Sequence, residues 1–116
     1  MGRKLSYETM VVVQFGEDEV KHIFNTKQLD AGLYSFEREA LKARDAKREQ
    51  SIEAGQDLMI DIYNKSIVRV DGYEFPDQLT PDLTLIPYDD KIATIAACLK
   101  NRKEAMPKNL QKASGE

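Results

Sequence analysis

The chain is 116 residues long, 41% apolar and 32% charged, with a net charge of −3. This describes one domain able to bury a real core, and its bulk charge favours neither nucleic acid nor a membrane surface. A single cysteine, Cys98, excludes an internal disulfide and fits a reducing compartment; with a single histidine, His22, it also argues against zinc sites, thiol–imidazole dyads and serine triads within one chain.

The N-terminal residues carry two early cations and no apolar stretch of the signal-peptide kind, and no apolar run approaches the ~20 residues of a membrane span. Met10 to Phe15 (MVVVQF) predicts a strand rich in β-branched residues. Gly16 to Glu19 predicts a turn, and the alternation of Val20, His22 and Phe24 with Lys21 and Ile23 predicts an antiparallel return strand with one buried face.

Asn25 to Ser35 is expected to be a connector, with Ser35 capping a helix whose first turn holds Glu37 and Glu39. The helix is expected to run through Phe36, Ala40, Leu41 and Ala43 and to continue, exposed, across the highly charged Arg44–Ser51. Ile52, Leu58, Met59, Ile62, Tyr63 and Ile67 resume a helical apolar pattern, with Gly55 marking a kink or a boundary and the end near Asn64–Ser66. Val68-Arg69-Val70, Asp71-Gly72 and Tyr73-Glu74-Phe75 then predict a second short hairpin, against the rival reading of a helix extended to Val70.

Thr80 before Pro81 predicts a short helical turn closed by Pro87. Asp89 or Asp90 is expected to cap a final helix with Ile92, Ile95, Ala96 and Leu99 on its apolar face and cations at its end. Residues 107–116 read as a flexible tail on a single domain spanning 1–106. The fold class expected is α+β: an N-terminal hairpin, a long charged helix, a short second hairpin and a C-terminal helix.

Charge is unevenly placed. From Asp71 to Asp90 there are six acids and no base; from Lys100 to Glu116 there are five bases and two acids. Such asymmetry orients a partner or pairs two segments of the fold.

No catalytic, cofactor-binding or metal-binding set emerges. His22 in a strand lacks a positioned carboxylate, and the structural reading outweighs the catalytic one. Cys98 within IAACL reads as a small core hydrophobe. The acids of 71–90 lack the spacing of a calcium loop, and the glycines are isolated singletons rather than a phosphate loop. Arg38, Lys42, Arg44, Lys47 and Arg48 suggest nucleic acid, but interleaved acids and the absence of stacking aromatics favour a solvated face.

The order of elements resembles the tail assembly chaperones of long-tailed bacteriophages. The likeness spans about Tyr7 to Leu99 and is carried by MVVVQF…VKHIF, the charged SFEREALKARDAKREQ, the segment IVRVDGYE, the link LTPDLTLIP and the helix DDKIATIAACL. The resemblance implies a non-enzymatic, cytoplasmic phage or prophage protein that binds the tape measure protein, recruits tail tube subunits and self-associates. It transfers no site residue. From the residues themselves, partner contact is expected along Arg38, Lys42, Arg44, Arg48, Ile52, Met59, Ile62 and Tyr63. A structural tail or neck component and a small nucleic-acid-binding regulator are the alternatives.

Overall fold

The computed structural model describes residues 2, 4–46 and 51–105. Strands β1 (Glu8–Phe15) and β2 (Asp18–Asn25) form the expected hairpin, paired antiparallel from Glu8↔Asn25 to Phe15↔Asp18 around the turn at Gly16-Glu17. Gly16 takes a positive φ of 62°, which suits a residue without a Cβ.

Helix α1 (Thr26–Asp45) starts at once, so the expected connector over Asn25–Ser35 does not exist. Asn25 is the cap: its side chain accepts from the Gln28 N–H at 3.0 Å, and Ser35 lies mid-helix. Gly32 is tolerated inside the helix because α2 passes close by. A Cβ there would sit 3.0 Å from Ile62 Cγ2.

Two helices stand here, and the boundary expected at Gly55 falls before Ser51. α1 ends at Asp45, and a separate α2 (Ile52–Ser66) begins with Ser51 as its cap, accepting from the Ala54 N–H. Gly55 is an ordinary residue of α2, neither a kink nor a boundary. The expected helical continuation over 47–50 lies outside the described residues, as do Lys47, Arg48 and the tail from 106 onward.

The second hairpin is replaced by a different pairing. β3 (Ile67–Asp71) joins β2, giving a three-stranded antiparallel sheet of order β1-β2-β3, with a register irregularity opposite Ile23/Phe24. The reason is competition: β2 offers a whole free edge, whereas residues 73–75 would have made only a two-stranded ribbon. Gly72 serves close passage instead of a tight turn. Its φ is 121°, and a Cβ there would meet the Glu19 carbonyl oxygen at 2.5 Å.

A 3-10 turn over Leu83–Leu85 is capped by Asp82 rather than Thr80, whose hydroxyl donates to Asp77 instead. Helix α3 (Tyr88–Ala105) starts before the aspartates, so Asp89 and Asp90 are first-turn acids and not the cap. Its buried face is Lys91, Thr94, Ile95 and Cys98, a rotation from the expected one; Ala96 is exposed.

The helices cover one face of the sheet. Val11 and Phe24 from the sheet meet Leu29 and Leu33 of α1, Ile62 and Tyr63 of α2, and Ile95 and Cys98 of α3. Each large side chain so buried contributes roughly 1.5–3 kcal/mol relative to exposure. α1 buries only its N-terminal half, so its C-terminal half stands out as surface.

Candidate functional site

Two places in the fold are candidates for chemistry or recognition: a polar centre under the sheet, and an open helical surface.

The polar centre is built around His22, which β2 points inward with no exposed surface. Tyr63 of α2 lies 2.9 Å from Nδ1 and Thr94 of α3 lies 3.3 Å from Nε2. The directions follow from the end of the chain. The Thr94 hydroxyl has one proton, and the Asp90 carbonyl at 2.7 Å can only accept it. Nε2–H must therefore donate to Thr94, and the Tyr63 hydroxyl donates to Nδ1. A Tyr73 hydroxyl donating to the Asp90 carboxylate at 2.7 Å completes the set.

Burial pulls the His22 pKa down to about 4, opposed by the nearby negative charge of Asp90, so the ring is neutral at neutral pH. Burial likewise raises both Tyr63 and Tyr73 above the usual phenol range, with Asp90 adding to each. No buried side-chain nitrogen or oxygen lacks a partner among the described residues. His22, Tyr63 and Thr94 have no exposed surface, whereas Tyr73 and Asp90 form a half-buried edge. The chemistry of the centre is that of a core polar network.

Cys98 lies beside it on α3, where burial pushes the thiol up to about 11. It is protonated at neutral pH and a poor nucleophile. Lys91 is also buried; its ammonium donates to Asn64 at 2.8 Å and sits 5.7 and 5.6 Å from the ring centres of Tyr63 and Tyr88. Among the described residues no group of three or more His, Cys, Asp or Glu is placed to hold a metal ion, and no helix is long and apolar enough to cross a membrane.

The open surface consists of three grooves that share Phe36. One of about 460 Å³ runs between α1 and α2, past Gly32, Phe36, Leu58 and Lys65. One of about 350 Å³ lies between Ile52 and Met59 of α2 and Ile92 and Ala96 of α3. The third, of about 590 Å³, lies between the C-terminal half of α1 and the end of α3. Arg102 ties these last two helices together, donating to both Glu37 and Asp30. Burial works against its charge, but the two carboxylates outweigh that and raise its pKa.

Neither a family model, nor a curated protein, nor a solved structure is similar to this chain.

The expected partner residues divide sharply. Arg38, Lys42 and Arg44 are exposed on α1; Ile52 is 79% exposed at the start of α2, and Met59 is half-buried beside it. Tyr63 is a core residue with no exposed surface, and its assignment to a partner surface is corrected: a tyrosine that reads as amphipathic surface finds its hydroxyl partner inside. Ile62 is buried too, yet its edge lines the α1–α2 groove beside Gly32. Arg48 lies outside the described residues. Sequence reasoning missed Tyr34 as a groove residue. Tyr34, Arg38 and Leu41, spaced by four and three, are the helical signal that marks one of these faces.

Proposed function

We propose that this chain is a non-enzymatic phage or prophage protein that assists tail assembly in the bacterial cytoplasm by binding tape measure and tail tube proteins. One observation carries the reading. The two clefts flanking α2 meet at Phe36 and leave Ile52, Leu58 and Met59 open to a partner. Apolar side chains in neighbouring grooves, bordered by charges such as Glu39, Asp61 and Lys65, suit a long amphipathic helix that would otherwise aggregate. The layout likeness to tail assembly chaperones supplies the identity of such a client, since tape measure proteins are long and coiled-coil-rich. The work is adhesion: the client is held soluble until tube subunits arrive.

Co-expression with a tape measure protein from the same genome tests it. The client is expected to move from the pellet to the supernatant and to co-purify. Ile52→Ser with Leu58→Ser should weaken that capture at least about tenfold with the circular dichroism spectrum unchanged, as expected for an interface anchor at exposed positions. No co-purification and no gain in client solubility would sink the proposal.

A further inference from the structure

We infer that the free edge of β1 is a strand-addition site. It takes an extended segment of another protein as a fourth strand, apolar at alternate positions and carrying a lysine or arginine beside the β1–β2 turn. The edge lies on a different element from the client clefts, so the claim stands without that reading.

The phase of the ladder decides which backbone groups are offered. The Thr26 N–H donates to the Tyr7 carbonyl at 2.9 Å, so these two residues form a hydrogen-bonded pair that continues the β1–β2 register. Bonded and non-bonded pairs alternate along an antiparallel ladder. Thr9, Val11, Val13 and Phe15 therefore bond to β2, whereas Glu8, Met10, Val12 and Gln14 turn their N–H and C=O outward. The Ser6 hydroxyl accepts from the Glu8 N–H. The outward groups of Met10, Val12 and Gln14 have no partner among the described residues. They recur at every second residue, about 6.8 Å apart, a spacing matched by another extended backbone.

The two edges of the sheet differ in their defences. Natural edge strands are blunted by shortness, charge, proline or a bulge. β3 is blunted: it has five residues, carries Arg69 and Asp71, and pairs with a register irregularity. β1 has eight residues, no proline, no lysine or arginine, and eight unbroken pairs with β2. Val11 faces the core, so Met10 and Val12 face the side of the sheet that the helices leave open, where they are 59% and 49% exposed. An added strand gains apolar neighbours there as well as backbone bonds.

Charge selects the occupant. Residues 5–20 contain Glu8, Glu17, Asp18 and Glu19 and no base. Arg69 holds Glu8, but Glu17, Asp18 and Glu19 have no cation within ion-pair reach among the described residues. Lys21, the next base, stands opposite Val12 on the central strand. A second copy of the chain fits poorly. Paired antiparallel about Val12, its Tyr7-Glu8 would lie against Gly16-Glu17, acid beside acid. A foreign strand with a cation at that end meets attraction instead.

A fluorescein-labelled peptide of alternating valine and threonine, with lysines at both ends, is the probe. Fluorescence anisotropy against the full chain should show saturable binding. Replacing the lysines by glutamates should weaken it at least about tenfold. Methylating the valine and threonine nitrogens should abolish it, because an added strand then brings no donors. Bound peptide should slow amide exchange at Met10, Val12 and Gln14. Val12→Pro removes an outward N–H but no ladder bond, so it should weaken binding at least about tenfold with the circular dichroism spectrum unchanged. Ile52→Ser with Leu58→Ser should leave binding as it is, which separates this edge from the client clefts. The exchange measurement uses the native chain and decides the matter even if Val12→Pro unfolds. Absence of saturable binding overturns the proposal, as does a methylated peptide that binds equally or exchange that stays unchanged at those three amides. Exchange that slows there in the chain alone as its concentration rises would give the edge to a second copy and overturn it equally.

Discussion

The interior around His22 and the surface around Phe36 are built by opposite rules. Under the sheet, five polar side chains from β2, α2, α3 and the segment after β3 bond to one another, and aromatic rings close around them: His22 to Tyr63 at 5.6 Å, and Phe24 to Tyr63 at 5.5 Å between centres. Along the helices, Ile52, Leu58, Tyr34 and Leu41 stay exposed, uncovered by any of the described residues. The interior is complete and the surface is not. A polar cluster with buried histidine and tyrosines looks like an active site in a residue list, yet its bonds are those of a packed core, while the proposed recognition uses apolar residues left exposed.

The hardest test of that contrast is Tyr63→Ala. It opens a cavity in the centre of the core and removes the donor to His22 Nδ1. Truncating a large buried aromatic costs roughly 3–5 kcal/mol, enough to unfold a domain of ordinary stability. Urea unfolding monitored by circular dichroism measures it. A loss comparable to that of an exposed substitution would mean the centre is not structural.

Acid is the next lever. The folded His22 pKa of about 4 lies below the ordinary 6.5, so as pH falls the unfolded chain takes up the proton first. The contribution is fully present above pH 6.5 and is lost progressively down to about 4. At about 1.4 kcal/mol per unit, the whole shift is worth about 3 kcal/mol. Protonation also makes Nδ1 a donor, facing a tyrosine hydroxyl that was itself donating. Unfolding free energy measured between pH 7 and 5, where most carboxylates stay charged, should fall with pH in the native chain and lie flatter in His22→Asn. Equal slopes would remove His22 from the account.

How far this could be read in advance depends on the range of each interaction. The hairpin was legible because Met10–Phe15 and the alternation after it encode it locally. The start of α1 was not: Asn25 and Gly32 are turn-forming residues by composition, and only packing against Ile62 makes Gly32 a helix residue. Asp71-Gly72 is a strong local turn signal that lost to the distant edge of β2. The polar centre joins residues 41 and 72 positions apart, and no periodicity reports such a pairing. For the same reason Ile62 and Tyr63 were grouped with Ile52 and Met59. All four fit one helical pattern, and only the tertiary fold divides them into buried and open.

Two glycines bring the comparison down to single methyl groups. Gly32 faces Ile62, with a Cβ position 3.0 Å from Cγ2 and 3.1 Å from Cγ1, whereas Gly55 has nothing within 4 Å. Both occupy helices with room in φ for alanine, so intrinsic propensity favours Gly→Ala by about 0.5–1 kcal/mol at each. At Gly55 that gain should appear as it stands, a small rise in stability. At Gly32 the new methyl must displace a core isoleucine, and overpacking of this kind costs about 1–3 kcal/mol, so the sign should reverse. Thermal unfolding of the two variants separates them. If Gly32→Ala stabilises as much as Gly55→Ala, α1 and α2 are not locked together at Ile62. The groove between them would then be a seam that moves with its occupant, not a preformed one.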